Sequence, residues 1–304
     1  MTATPADEFD RVADAMSYDS LDERYMHLVH RLGAPSARFI CELAQIRLGD
    51  HVLDLATGTG LGVRTAAPLV GPNGRVVGLD LSPGLIDVAR RHTPATQCSY
   101  VVGDAEALPF PDASFDVVFT YCGIAHFPRL DVALAEMARV LKPGGRMVAS
   151  FVHTRPLGRR KRVQHIVRRL IQVSLSPLRP TLFGPQFALA ACDRHLPPLD
   201  EPAHTPWSLG NRTVTLLKSA QRGGFRRVRA AVEHRDVRFD RADEFFEAQE
   251  AIASEVRLRM QRASAEEAAT VRADAVSRAE EALRRGGQLL YPFGAYCVIG
   301  HRES

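Results

Sequence analysis

Between residues 51 and 62 an apolar run, His51-Val52-Leu53-Asp54-Leu55, passes straight into Ala56-Thr57-Gly58-Thr59-Gly60-Leu61-Gly62. A continuous apolar run of this length, then clustered glycines, then a helical pattern reads as a buried strand, a tight turn and a helix start. Glycines there let the main chain turn sharply and approach a ligand closely, while the helix start offers N–H groups without partners. The alternation continues, with apolar runs at Arg75 to Leu79, Ser99 to Val102, Asp116 to Thr120 and Arg146 to Val152. Helical spacing separates them at Pro83 to Arg91 and at Asp131 to Leu141, where Leu141-Lys142-Pro143-Gly144-Gly145 ends the helix. Buried strands separated by helices predict an α/β fold with a mostly parallel sheet covered on both faces.

The glycine spacing narrows the ligand. A dinucleotide fingerprint needs glycine at position 63, which is Val63, and a phosphate-binding loop needs GK[ST], which does not follow. The second run ends in Val77-Gly78-Leu79-Asp80, placing a carboxylate that can accept both hydroxyls of a ribose. The third ends in Gly103-Asp104-Ala105-Glu106, a second acid on the same edge. Ligands of open α/β sheets bind outside the carboxyl ends of the strands, where these three segments converge. The expected ligand is nucleotide-like.

The motifs VLDLATGTG, VVGLDLS, GDAEALPFPDASFDVVF and RVLKPGG, over roughly residues 50 to 150, together resemble the class I S-adenosylmethionine-dependent methyltransferases of the ubiquinone/menaquinone-methylase-like (UbiE-like) group. Phe9-Asp10-Arg11-Val12-Ala13 and Tyr18-Asp19 are similar, more loosely, to the family's entry helix. The resemblance implies a Rossmann-like, seven-stranded, mostly parallel sheet with N-terminal helices and helical lid insertions. It implies one methyltransferase domain over 1–304: a helical cap at 1–48, a cofactor core at 49–153, a lid at 154–206, and the rest of the sheet at 207–304 with a helical insertion at 241–285. The implied cofactor is S-adenosyl-L-methionine (SAM), leaving S-adenosyl-L-homocysteine as product. Ala56, Thr57, Gly58 and Gly60 would line its methionine part, Asp54 would hold the amino group, Asp80 with Leu81 the ribose, and Asp104 with Ala105 the adenine. Tyr18 and Tyr121 would close over it. The family usually has glycine where this chain has Ala56, and a methyl group there is tolerable only with a negative φ.

Methyl transfer from a sulfonium needs chiefly alignment and exclusion of water, with a general base where the acceptor is a hydroxyl or an acidic carbon. Tyr121, His126 and His153, past the ends of the fourth and fifth strands, are the candidates, and His126 is the best placed. The alternative role for His126 is a hydrogen bond to a backbone carbonyl that shapes the loop. Asp112 and Asp116 read as turn and strand-start residues, and no metal is expected. Thr120-Tyr121-Cys122-Gly123 lacks the Asn/Asp-Pro-Pro-aromatic motif of nucleic-acid amino methylases, which leaves a small organic acceptor methylated at O, C or N. A second reading is a protein of the same fold that catalyses cyclisation or isomerisation without methyl transfer. A third is a noncatalytic module that binds RNA or membrane.

Composition supplies the remaining bounds. With 304 residues, 45% hydrophobic and 24% charged, the chain is neither disordered, collagen-like nor one long coiled coil. A formal charge of +4 is too mild for a general nucleic-acid binder, so no nucleic-acid partner is expected. The charge is concentrated at 155–180, where Arg155, Arg159, Arg160, Lys161, Arg162, Arg168, Arg169 and Arg179 occur without an acid, interleaved with apolar residues. That pattern suits a cationic amphipathic helix facing an anionic membrane or an acidic carrier protein, or a lid whose apolar side, continued by Phe183, Phe187 and Leu189, roofs a hydrophobic acceptor such as a polyketide, terpenoid, lipid or quinone precursor. Five scattered cysteines and no long apolar stretch suit a reducing cytoplasm.

Overall fold

The computed structural model describes residues 9–19, 23–152, 180–184, 186–200 and 212–303. His153 and the basic stretch 155–179 lie outside them. The chain divides into two compact units: residues 1–152, 204–233 and 295–304, and residues 153–203 and 234–294.

The first unit begins with α1 (Arg11–Met16), whose first N–H groups are capped by Asp10: one carboxylate oxygen accepts from Val12 and Ala13 N, both at 2.9 Å. The order continues α2 (Glu23–Ala44), β1 (His51–Leu55), α3 (Leu61–Val70), β2 (Arg75–Asp80), α4 (Pro83–Arg91), β3 (Cys98–Val102), β4 (Phe115–Thr120), α5 (Leu130–Val140) and β5 (Leu141–Val152). Later elements are α7 (Arg212–Arg222), the first part of β7 (Phe225–Phe239) and the last part of β8 (Gln288–Arg302). The strand order is β3-β2-β1-β4-β5-β8, with β7 beside β8. β1 to β5 are parallel and β8 runs antiparallel to β5, from Arg146↔His301 to Val152↔Ala295. This is the expected seven-stranded, mostly parallel sheet. β5 starts earlier than its apolar run because Leu141 already pairs with Phe115; the register then shifts before Val117↔Arg146, and Gly144 takes a φ of +74° within the Pro-Gly-Gly bulge.

The core gathers the apolar strand faces, Val52, Val76, Val117, Phe119, Val148 and Ile299, against Ile40 and Ala44 of α2 and Val63, Ala66 and Val70 of α3. Strands buried on both faces explain why their sequences read as continuous apolar runs.

The second unit holds β6 (Thr181–Phe183), α6 (Gln186–His195), α8 (Ala242–Ile252), α9 (Ser254–Arg262) and α10 (Ala265–Arg284). β6 pairs in parallel with Gln288–Leu290 of β8. The expected one or two helices at 241–285 are three. Ala253 and Ala263 adopt extended dihedrals, and Ser264 opens α10 with a reciprocal capping box to Glu267. Small residues, Ala188, Ala191 and Ala275, let these helices approach closely around Phe246, Val256 and Met260. Phe187 and Leu189 pack against that cluster. The buried Arg259 gives one terminal nitrogen to Asp193 at 2.6 Å and the other to the Leu196 carbonyl at 2.7 Å, tying α9 to the end of α6.

Candidate active site

The first unit brings the carboxyl ends of β1, β2, β3 and β4 to one edge of the sheet, and each end carries a polar group. Asp54, on β1, pairs across the sheet with Gly78 on one side and Phe119 on the other, and is buried. Its Oδ2 accepts from the Thr57 hydroxyl at 2.7 Å, whereas Oδ1 is buried with no hydrogen-bond partner. Burial pushes the carboxyl up to about 8, against the Thr57 hydroxyl that holds it down; the Asp80 charge adds to the rise and the Val63 N–H opposes it. Gly62 is required here, since a Cβ at that position would lie 2.3 Å from Asp54 Oδ2.

The turn after β1 alternates left-handed residues, with φ of +52° at Ala56, +54° at Gly58 and +80° at Gly60. The expectation of a negative φ at Ala56 is therefore overturned. A left-handed alanine costs about 1 kcal/mol or somewhat more, from crowding of Cβ against the carbonyl. Space for its methyl comes from Gly123 at the end of β4, where a Cβ would lie 2.4 Å from that of Ala56. Cys122, next to Gly123, is left-handed too, at +60°. The turn is held from within by Gly60 N to Thr57 O at 2.9 Å and from β2 by Thr57 N to Leu79 O at 3.0 Å.

Asp80 is buried at the end of β2, and both oxygens accept main-chain N–H groups: Gly58 N at 2.7 Å and Ser82 N at 3.0 Å. Burial pushes this carboxyl up, while the Ser82 and Gly58 N–H groups and the charge of His126 hold it down. The predicted ribose carboxylate therefore also locks the glycine turn to β2. Leu81 is half-buried beside it.

After β3, Asp104 takes Glu106 N on Oδ1 at 2.9 Å and Arg11 of α1 on Oδ2 at 2.9 Å. Ala105 is buried. Glu106, also buried, meets Arg11 at 2.5 Å and Arg129 at 2.7 Å. After β4, Tyr121 packs half-buried against the core, with its hydroxyl facing Gly33 of α2, where a Cβ would come within 2.6 Å of it. His126 sits on a single 3-10 turn, Ile124–His126, and its Nδ1 lies 2.7 Å from Oδ2 of the buried Asp14. This contact is to a carboxylate, a partner that neither of the two roles read from the sequence, proton acceptor or loop-shaping bond to a backbone carbonyl, had named. The Tyr18 ring meets the imidazole edge-on at 6.2 Å.

Three residues that the sequence reading passed over as site residues come from the N-terminal segment: Arg11 reaches the β3 end, Asp14 the β4 end, and Asp19 the start of α4. Asp19 Oδ1 accepts from the Ser82 hydroxyl and from Gly84 N, the latter at 3.1 Å. The loose similarity of Phe9 to Ala13 and of Tyr18-Asp19 to an entry helix was the available signal, and it marked Arg11 and Asp19 but not Asp14. Asp112 pairs with Arg139, and Asp116 accepts from His51 N and Lys142. Among the described residues no group of three or more His, Cys, Asp or Glu side chains is arranged to hold a metal ion, and no helix is long and apolar enough to cross a membrane.

Against known proteins, residues 53–149 match the methyltransferase domain. The chain is 40% identical over 144 residues to the ubiquinone/menaquinone biosynthesis C-methyltransferase UbiE of Hahella chejuensis, covering 46% of this chain and 56% of that one. It is 40% identical over 138 residues to the UbiE of Pseudomonas paraeruginosa, covering 44% and 53%. The matched region thus spans about half the length of these curated relatives. The YcgJ protein of Bacillus subtilis superimposes with a TM-score of 0.52 at 16% identity, over 89% of this chain and 99% of that one, which shows a shared fold. The cofactor expected from the sequence for such a domain is S-adenosyl-L-methionine. The residues present fit it: a buried acceptor oxygen without a partner at Asp54, a turn with three left-handed residues, and acids at the ends of β2 and β3.

Proposed function

We propose that the chain is a SAM-dependent methyltransferase acting on a small hydrophobic molecule, quinone- or lipid-like, at O, C or N. The observation that carries this reading is Asp54 Oδ1, an acceptor atom buried beside the glycine turn and without a hydrogen bond. A buried polar atom left so costs about 1 to 3 kcal/mol, and a ligand ammonium group would repay that cost. Asp54 would hold the methionine amino group, directly or through water, with Ala56, Thr57, Gly58 and Gly60 along its chain. Asp80 has further acceptor capacity for ribose hydroxyls beyond the two N–H groups it already takes, and Leu81 lies next to it. Asp104 and Ala105 would meet the adenine, with Arg11 sharing the Asp104 carboxylate.

Bound SAM supplies an activated methyl group on a sulfonium. The chain's own residues have then to hold the acceptor in line and keep water out, a task in which Tyr18 of the N-terminal segment and Tyr121 after β4 would take part. His126 is the residue proposed to take a proton from the acceptor; His153 keeps its place as a sequence candidate only. The names of the UbiE relatives support a quinone-like acceptor and methylation at carbon.

Calorimetric titration with SAM, S-adenosylhomocysteine and NAD, repeated with Asp80→Ala, tests the cofactor site. Binding of the first two, absent for NAD and lost in the variant, is the expected result. Release of S-adenosylhomocysteine with an acceptor then marks methyl transfer; an isomerised product with SAM unchanged marks cyclisation instead, and absence of SAM binding ends both readings.

A further inference from the structure

We propose that Asp14 is a positioning residue for His126: it holds the imidazole through Nδ1 and stabilises the imidazolium that forms when Nε2 takes a proton from the acceptor. This rests on the methyl-transfer reading above. The pairing joins residues 112 positions apart and places a buried carboxylate 2.7 Å from the ring nitrogen. A contact that only shaped the 3-10 turn would be served by a neutral acceptor. A carboxylate taken out of water is costly unless a positive charge forms beside it, so this pair favours the protonated ring. The His126 side chain is 30% exposed and the Asp14 side chain 5%, so the carboxylate is the deeply buried member of the pair. Asp14 and Tyr18 of the N-terminal segment face the ring, and the Asp80 carboxyl at the β2 end feels the His126 charge. The Asp14 carboxylate at 2.7 Å sets the sign of the proposed effect, since an opposite charge at that distance favours the protonated ring.

The step balances. With Nδ1 committed to Asp14, Nε2 takes the proton of an acceptor O–H or acidic C–H. The electron pair left on the acceptor forms the new bond to the methyl carbon as the carbon–sulfur bond breaks, and the pair of the broken bond stays on sulfur, giving a neutral thioether. His126 is left as imidazolium, held by Asp14 until water takes the proton.

The test is nitrogen-detected NMR of the histidine rings in the full chain, titrated from about pH 5 to about pH 9 with and without S-adenosylhomocysteine, for wild type, Asp14→Asn and Asp14→Glu. The His126 midpoint is expected to fall by about one pH unit or more, a tenfold or greater loss of proton affinity, in Asp14→Asn, and to return in Asp14→Glu. With a panel of phenols and hydroquinones as acceptors, the acid limb of kcat should move down by the same amount and its plateau should fall about tenfold, with KM for SAM unchanged. An unmoved midpoint, or an unmoved acid limb, overturns the proposal. Failure of wild type to bind S-adenosylhomocysteine overturns the methyl-transfer reading instead, and the titration of the ligand-free chain still decides whether the two residues are coupled. The Asp14→Glu variant separates loss of this coupling from loss of α1.

Discussion

At the ends of β1 and β2 the first unit buries carboxylates, Asp54 and Asp80, whereas the second unit buries guanidiniums, Arg257 and Arg259. The two regions treat buried charge differently. Arg259 spends both terminal nitrogens on Asp193 and the Leu196 carbonyl, and Arg257 donates to the Ala251 carbonyl and the Ser254 hydroxyl. Those arginines tie helix ends together, and their hydrogen bonds are spent on structure. Asp54 keeps one oxygen without a hydrogen bond and a carboxyl pushed up to about 8 by burial. Arg259 Nε is likewise buried without a hydrogen bond, so an unpartnered atom does not by itself separate the two regions; what does is that Asp54 stands beside a left-handed glycine turn at the carboxyl edge of a parallel sheet, where ligands of such sheets bind.

Removing the unsatisfied acceptor should have the largest effect. Asp54→Asn keeps the shape and the Thr57 contact but presents an amide to the ammonium group, and calorimetry should show SAM affinity falling about a hundredfold. Retained affinity would place the amino group elsewhere. In the helical region the corresponding change acts on stability. Arg259→Met removes the tie between α9 and α6 and should cost about 2 to 3 kcal/mol in denaturant unfolding, with SAM affinity unchanged in the folded protein. A change in affinity would erase the distinction drawn between the two regions.

The pH dependence sharpens the comparison on the strand edge alone. Folding raises the Asp54 carboxyl from its usual range near 4 to about 8, so between these values the folded state binds more protons than the unfolded one. Stability of the ligand-free protein on account of this group is therefore greatest below about pH 4 and declines as pH rises towards 8. Asp54→Asn should flatten that decline, raising Tm near pH 8 by about 5 °C relative to wild type. SAM binding should run the other way. An ammonium ligand needs the carboxylate, so affinity should weaken about tenfold for each unit that pH falls from 7 to 5, and not in the variant. The smallest effect is expected at the turn: Ala56→Gly relieves a left-handed alanine and should raise Tm by about 2 °C or less, because the glycine also gains freedom in the unfolded chain.

Much of this was legible in the sequence, for a local reason. Strand runs, the glycine turn and the acids at strand ends are short-range patterns, so β1 to β5, Asp54, Asp80 and Asp104 could be placed from spacing and resemblance. Ala56 could be flagged as a departure, yet its φ could not be read, because Gly123, which makes room for its methyl, lies 67 positions away in the sequence. The division of 241–285 into three helices was hidden in a uniform Ala, Glu and Arg composition, and Ser264 with Glu267 was the one local stop-and-start signal within it.

The sequence by itself determined the strand–helix alternation, the turn and the acids that follow three strands, since each depends on neighbours along the chain. Tertiary structure alone decided which of those acids stays unsatisfied, that Arg11, Asp14 and Asp19 reach the ends of β3 and β4 and the start of α4, and that His126 faces a carboxylate. These outcomes depend on burial and on charges brought together across 63 to 112 residues, and a side chain's partner at that separation is fixed by packing, which no local pattern records.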